Sequence, residues 1–161
     1  MPVDDVALSH RLIAFIERIG IRVGTGALDH DCFLPGVTVR GGGIVHDPVR
    51  LAHPGDLLHE AGHIAVTDPE ARATLDTVSG DPGEEMAAIA WSYAAALAIG
   101  IDPAIVFHAD GYGGDGRGIA DNFAAGRYFG VPLLAWFGMT VDPRSGASGS
   151  ACYPQMTRWL R

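Results

Sequence analysis

Residues 56–66 read Asp-Leu-Leu-His-Glu-Ala-Gly-His-Ile-Ala-Val, a run that places two histidines and a glutamate among mostly apolar neighbours. The apolar neighbours predict a buried helix. Buried imidazoles and carboxylates cost free energy unless each has a partner, so this run constrains the fold more than any other stretch of the chain. On a helix, residues four apart lie on the same face, so His59 and His63 project together.

The spacing of the two histidines suits a metal ion. Imidazole nitrogens placed in this way can bind one Zn²⁺ at about 2.0–2.1 Å. Glu60 follows His59 directly, where its carboxylate can accept a proton from a water on the metal. The alternative is a chance match in which Glu60 is a solvated charge, a pattern that we estimate in roughly one random chain in a few hundred. The apolar setting favours the metal.

The composition indicates one globular domain spanning residues 1–161. A chain of 161 residues is long enough to bury roughly 70% of its unfolded surface. Hydrophobic residues make up 48% of the chain and charged residues 19%, values typical of a folded protein.

The charge, the apolar runs and the first residues bear on the partners and the cellular location to be expected. The formal net charge is -8, and the 11 Lys and Arg residues are scattered, which disfavours nucleic acids and anionic membranes as partners. No apolar run approaches the ~20 residues of a membrane span. Residues 1–5 are acidic where a signal peptide is basic, and two cysteines are too few for a disulfide framework. We expect a cytoplasmic protein with neither nucleic-acid nor membrane partners.

The segments before the central run predict a helix and a hairpin. Apolar residues at helical spacing over 4–19 predict a helix that ends at Gly20. Residues 37–40 and 44–46 predict two strands joined by three glycines. The edge of this hairpin could pair with an extended peptide, and a plain hairpin that only covers the core fits the sequence equally well.

Other metal-binding side chains in this half are expected to have different roles. His30, Asp31 and Cys32 are adjacent, and neighbouring positions of an extended chain point to opposite faces, which is awkward for a shared metal. His46 and His53 lie in a polar, proline-containing approach to the central run. We expect them at the surface or outside the ring of ligands.

A second helix offers a third ligand. Asp81 suits an N-cap, Pro82 suits the first helical position, and Glu84 has the spacing of a capping box. Glu85 instead begins the inward stripe of a helix that is apolar nearly all round, where a carboxylate needs a counter-charge. We therefore assign Glu85 as the ligand and Glu84 as the cap. Two alternatives stay open: the reverse assignment, and two charges that only complement the helix dipole.

These motifs resemble those of zincin metallopeptidases of the gluzincin type. His59-Glu60-x-x-His63, followed by a second helix that opens with Glu85, looks like the compact minigluzincins, and residues 85–90 are loosely similar to the glutamate helix of the ImmA/IrrE group. The resemblance covers roughly residues 33–98. It implies a mainly helical α+β domain with a small sheet beside the active helix. It also implies that Zn²⁺ is held by the two histidines and Glu85, with Glu60 as the general base of peptide hydrolysis.

A glycine-rich loop at residues 108–118 carries His108, Tyr112 and Arg117, which are residue types able to stabilise an oxyanion. We name His108 and Tyr112 as candidate substrate or oxyanion contacts. The loop lacks the Lys-Ser/Thr of a phosphate loop and the acidic spacing of an EF-hand.

The remainder of the chain is expected to be scaffold. Helices are predicted over residues 119–128 and 131–137, and a short helix or strand over 153–161 that docks through Trp159 and Leu160. The residues of the 131–137 segment expected in the core are Val131, Leu133, Leu134, Trp136 and Phe137.

Together these observations predict a zinc-dependent peptide hydrolase that acts on a peptide or protein substrate. A deformylase-like hydrolase, with Cys32 replacing Glu85, is a second enzyme reading. The alternative outside the enzymes is a zinc-stabilised binding or regulatory domain that catalyses no reaction. A fourth ligand such as His108 or Cys32 would favour the binding domain, whereas the glutamate at position 60 favours the enzyme, because a structural zinc needs no base.

Overall fold

The computed structural model describes residues 3–29, 32–146 and 152–161, and His30 and Asp31 lie outside this part. The described chain combines helices with a small mixed sheet, as the predicted α+β class requires. Its elements are α1 (Val3–Arg18), β1 (Val23–Thr25), β2 (Val37–Arg40), β3 (Gly43–His46), α2 (Asp56–Val66), α3 (Pro69–Arg72), α4 (Pro82–Ile99), α5 (Gly116–Ala124) and α6 (Val131–Trp136), with 3-10 turns at Pro103–Ile105, Tyr112–Gly114 and Pro143–Ser145.

The first helix ends as the sequence predicts. Gly20 adopts a φ of 100°, a conformation that a side chain disfavours. Its N–H donates to the carbonyl of Glu17 at 3.0 Å, and the N–H of Ile21 donates to that of Ile16 at 3.1 Å. This pair of bonds is the Schellman motif, which satisfies the last carbonyls of α1 and turns the chain toward the sheet.

The sheet contains the predicted hairpin and one further strand. β2 and β3 pair antiparallel, with Val39 opposite Ile44. β1 runs parallel to β3 on its other side, so the strand order is β1-β3-β2. The sequence analysis did not predict β1, because a strand of three residues shows too little alternation to be recognised locally. β2 is left at an edge of the sheet.

The close packing of α2 against α4 depends on a glycine. A Cβ atom at Gly62 would lie 2.9 Å from the carbonyl oxygen of Ala88 and 3.0 Å from Ser92 Oγ. The missing side chain at Gly62 therefore lets α4 approach α2 closely. This approach brings the first turn of α4 beside the histidines of α2.

The C-terminal segments correct two predictions. In α6, Val131 and Leu134 are buried on one face, but Trp136 is 84% exposed. Its assignment to the core was wrong, because a helix of six residues buries only one face. The predicted helix over 119–128 is observed as Gly116–Ala124, three to four residues earlier in the chain.

The end of the chain docks without regular structure. Residues 152–161 contain neither a helix nor a strand, so that part of the prediction was wrong, and only an isolated bridge joins Cys152 to Val141. The predicted docking through Trp159 is confirmed: its ring lies 5.0 Å from that of Phe15 and 5.5 Å from that of Trp91, edge to face. None of the helices in the described part of the chain has the length and apolarity that a bilayer crossing demands.

Candidate metal centre

His59 and His63 lie one turn apart on α2 and direct their Nε2 atoms toward each other. The two Nε2 atoms are 3.1 Å apart. The rings stand nearly perpendicular, at 85°, with centroids 4.7 Å apart. Because the lone pair of an imidazole nitrogen lies in the ring plane, perpendicular rings can direct two lone pairs at one point.

Glu85 reaches the same point from the first turn of α4. Its Oε2 atom is 2.9 Å from His63 Nε2, and its Oε1 atom is 3.7 Å from His59 Nε2. Tetrahedral zinc with bonds of about 2.0–2.1 Å separates its ligand atoms by about 3.3 Å. The observed separations of 2.9, 3.1 and 3.7 Å lie on either side of this value, so the three residues fit the ion. The structure brings Glu85 to the histidines, and not Cys32 or Glu84.

The protonation states also suit a metal. Burial lowers the pKa of His59 to about 4, so its ring is neutral at pH 7. The hydrogen bond from His63 lowers the pKa of Glu85, which keeps that carboxylate ionised. Metal ligands bind as neutral imidazoles and anionic carboxylates, so His59 and Glu85 are in the required form.

Glu60 lies beside this cluster and is 7% exposed. Burial is the main cause that raises its pKa to about 7, with the charges of Asp56 and Glu85 adding to the shift. A carboxyl group whose pKa is close to neutrality can both accept and release a proton at that pH.

The first turn of α4 is capped as predicted, but its capping box is incomplete. The carboxylate of Asp81 accepts hydrogen bonds from the N–H groups of Gly83 and Glu84, at 2.8 and 3.0 Å. The N–H of Asp81 donates to Ser79 Oγ at 3.1 Å instead of to the side chain of Glu84. The capping role predicted for the Glu84 carboxylate was therefore wrong.

The two candidate substrate contacts lie on the loop that follows α4. Tyr112 Oη is 3.1 Å from His59 Nδ1, on the opposite side of that ring from the metal position. His108 Nε2 is 2.9 Å from Asp56 Oδ1, at the start of α2. Their contact with a substrate stays a prediction.

A second group of donors lies beside the first. Side-chain atoms of His53, His108 and Asp110 lie within 4.8 Å of one another. The two rings, however, are stacked, with centroids 3.7 Å apart and an interplanar angle of 12°. Nearly parallel rings cannot direct two in-plane lone pairs at one ion. Each ring instead has its own carboxylate, since His53 lies 3.1 Å from Asp110 and His108 pairs with Asp56.

Sequence reasoning missed Asp56. It is buried, and its Oδ2 atom has no hydrogen-bond partner among the described residues. An aspartate in the first turn of a helix usually complements the helix dipole, so the sequence offered an ordinary explanation for it. The only indication in the sequence was that Asp56 is the first residue of a mostly apolar run.

A groove of about 760 Å³ reaches the first group of donors at Glu85, whereas His59 and His63 do not line it. Glu60 and Glu85 line it together with β2, Cys32 to Leu34, and residues 76–80. Phe33 is 97% exposed on its wall. An extended segment could lie in this groove along the edge of β2.

His46 was expected either at the surface or near the ligands without binding the metal. It is not at the surface, because it is buried on β3. Its Nε2 atom is 3.2 Å from Thr25 Oγ1. It lines a separate cavity of about 370 Å³ between α1 and residues 46–51, which shares no lining residue with the groove.

Comparisons with protein-family models, with curated proteins and with solved structures found no match for this chain. The chemistry of the site therefore has to be argued from its own geometry.

Proposed function

We propose that this protein is a zinc-dependent peptide hydrolase of the zincin type. The ion would be held by His59, His63 and Glu85, with Glu60 as the general base. The observation that carries the proposal is the meeting of three donors at tetrahedral spacing, beside a buried carboxyl group on the wall of an open groove. Zinc bound there supplies an acidified water and polarises a carbonyl group.

Glu60 performs the proton transfers. Its carboxylate takes a proton from the attacking water and hands it to the amine that leaves when the peptide bond breaks. Its burial supports this role, because burial raises the pKa of this carboxyl group and so makes its carboxylate a stronger base than a solvated one. Its position next to His59 would hold it beside a bound ion, and it is not among the three residues that could bind that ion.

The edge of β2 supports a peptide as the substrate. The N–H of Asp47 donates to the carbonyl of Gly36, and the register continues from this pair along the hairpin. Since bonded and non-bonded pairs alternate in an antiparallel ladder, the N–H and C=O of Val39 face away from β3. Val39 also lines the groove. An extended peptide can add to this edge as a further strand and carry its carbonyl toward Glu60.

The number of residues that could hold zinc favours turnover over a purely structural role for the ion. Within the described ranges, no fourth histidine, cysteine or carboxylate joins the three ligands. His108, which would have closed the site, pairs with Asp56. Three protein ligands and one free position are the pattern of catalytic zinc.

The test is Glu60→Gln, which keeps the size of the side chain and removes the base. Wild type and variant are incubated with a peptide library, cleavage is read by mass spectrometry, and bound zinc is measured by elemental analysis. We expect cleavage to fall by about 10²–10⁴-fold with unchanged zinc. Glu17→Gln, on the exposed face of α1, is the matched control and should cleave normally.

Equal cleavage by wild type and Glu60→Gln would contradict the assigned base. Zinc in both proteins with no cleavage by either would favour the zinc-stabilised binding domain. In that case the edge of β2 would still bind peptides, which titration with library fractions would detect.

A further inference from the structure

We infer that Tyr112 is a positioning residue, whose hydroxyl accepts a hydrogen bond from His59 Nδ1–H and so holds the Nε2 atom of that ring on the metal position. The inference rests on the proposed zinc site. It gives Tyr112 a role on the ligand side of the centre, different from a contact with the substrate.

The two nitrogens of His59 have separate partners. Nε2 faces His63 Nε2 at 3.1 Å and Glu85 Oε1 at 3.7 Å, whereas Nδ1 faces Tyr112 Oη at 3.1 Å. A neutral imidazole carries one proton, and a ring that offers Nε2 to a metal must carry that proton on Nδ1. The hydroxyl oxygen of Tyr112 is the acceptor placed to receive it. This contact selects the tautomer that can bind zinc.

The backbone at Tyr112 indicates that the contact is held in place. Its φ is 56°, and it is the only residue other than glycine with a positive φ in the described chain. A bulky side chain disfavours this conformation, so surrounding contacts must maintain it. The ring lies 5.2 Å from that of His59, edge to face, and 5.3 Å from that of Phe107.

The loop is fixed to α2 at two points one turn apart. His108 Nε2 pairs with Asp56 Oδ1 at 2.9 Å, and four residues later Tyr112 meets His59. The ring of His53 covers that of His108 at 3.7 Å. The loop that carries Tyr112 is therefore anchored to the same helix that carries the ligand, which fixes the hydroxyl relative to His59.

Partners behind a metal ligand orient its ring and raise its basicity, and their removal typically weakens metal binding by about 10–100-fold. Tyr112→Phe keeps the ring and its packing and removes only the acceptor. We expect the zinc dissociation constant, measured by competition with a chromophoric chelator, to rise by about 10–100-fold. Tyr93→Phe is the control, because Tyr93 is also buried but packs against Phe123, and its zinc affinity should be unchanged.

A spectroscopic measurement on the wild type does not depend on the folding of any variant. In the zinc-loaded protein, ¹⁵N NMR should show His59 protonated at Nδ1, with a proton that exchanges slowly because it is hydrogen-bonded. In Tyr112→Phe the same proton should exchange faster. Neither change is expected from a tyrosine that only fills space.

An unchanged zinc affinity in Tyr112→Phe, within about twofold of the wild type, would overturn the inference, and reduced hydrolysis alongside it would make Tyr112 a substrate contact. A His59 ring without a proton on Nδ1 would overturn it as well. Failure of the proposed function has a different signature: the wild type itself would bind no zinc, and both proposals would fall together.

Discussion

Two neighbouring clusters contain the same types of donors, but their ring geometry differs. In the first, His59 and His63 stand at 85° to each other and share the carboxylate of Glu85. In the second, His53 and His108 stack at 12°, and each ring has its own carboxylate. Perpendicular rings can meet at one ion, whereas stacked rings form two separate acid–imidazole pairs.

The difference originates in the backbone. The first pair of histidines lies four residues apart on one helix, a spacing that sets their separation before any tertiary contact forms. The second pair comes from two loops 55 residues apart in sequence (108 minus 53), so their rings are free to stack. Composition and proximity do not distinguish the two clusters, whereas the angle between the rings favours the first as the one that could hold a metal.

The largest expected effect is the loss of zinc when a histidine of the first cluster is replaced, compared with no loss for the second cluster. His63→Ala should lose bound zinc and unfold at a lower temperature, because the energy of metal binding is folding energy. His53→Ala should keep one equivalent of zinc, as in the wild type. Elemental analysis and thermal melts, with and without a chelator, measure both.

Two zinc measurements would contradict this assignment of the clusters. Two equivalents of zinc in the wild type, with one lost in His53→Ala, would mean that the stacked rings rearrange to bind a second ion. Full zinc content in His63→Ala would remove the first cluster from consideration.

A smaller effect is expected from the carboxylate that completes the first cluster. Glu85→Gln removes the anionic ligand and should weaken zinc binding sharply in a competition titration. Glu84→Gln is the neighbouring control, and it should cost only about 0.3–1 kcal/mol of stability through the helix dipole. The reverse order of zinc affinities would mean that the two glutamates exchange roles when the metal binds.

The sequence predicts those parts of the fold and the candidate site that depend on residues close together in the chain. The end of α1 at Gly20 and the cap of α4 at Asp81 are local, and both were predicted correctly. The grouping of His59 and His63 is also local to one helix. Adding Glu85 required only the argument that a carboxylate facing the core needs a partner.

What the sequence could not predict depends on tertiary contacts. The parallel pairing of β1 with β3 and the stacking of His53 on His108 join segments with no local signal. Trp136 was assigned to the core from its hydrophobicity, but the short α6 directs it to solvent. For Tyr112 the residue type suggested a substrate or oxyanion contact, and only the fold shows that its hydroxyl lies 3.1 Å from His59 Nδ1.

The helix packing that assembles the first cluster gives the next prediction. Gly62→Ala places a methyl group 2.9 Å from the Ala88 carbonyl oxygen, so α4 must shift. Overpacking of this kind costs about 1–3 kcal/mol, against a gain of about 1 kcal/mol in helix propensity. We expect lower stability and weaker zinc binding, because Glu85 moves with α4.

Gly80→Ala is its control, since a Cβ atom there has no neighbour within 4 Å. It should leave both stability, measured by urea unfolding, and zinc affinity unchanged. A Gly62→Ala protein that binds zinc as tightly as the wild type would show that the position of α4 is not what sets the site.

The smallest effect concerns the carboxylate of Asp47, which pairs with backbone N–H groups and lies 3.7 Å from the Arg50 guanidinium. It provides a reference for both clusters. Asp47 is buried and accepts hydrogen bonds from the N–H groups of Leu28 and Val49, at 3.1 and 2.9 Å. These bonds, the one from Leu28 first, hold the pKa of Asp47 below its usual value. A carboxylate with a lowered pKa stabilises the fold above its unfolded pKa, and this contribution disappears as the pH falls through the folded value.

Asp47→Asn should therefore be less stable than the wild type at pH 7, and the difference should shrink as the pH falls below about 4, where the unfolded carboxylate binds a proton. Urea unfolding of the zinc-free protein at pH 7 and pH 3 measures it without a contribution from the ion. A difference that stays constant between the two pH values would mean that the amide disturbs packing and that the charge of Asp47 contributes nothing. A difference that shrinks would show that the charge of Asp47, held by backbone N–H groups with the Arg50 guanidinium 3.7 Å away, stabilises the fold without a metal.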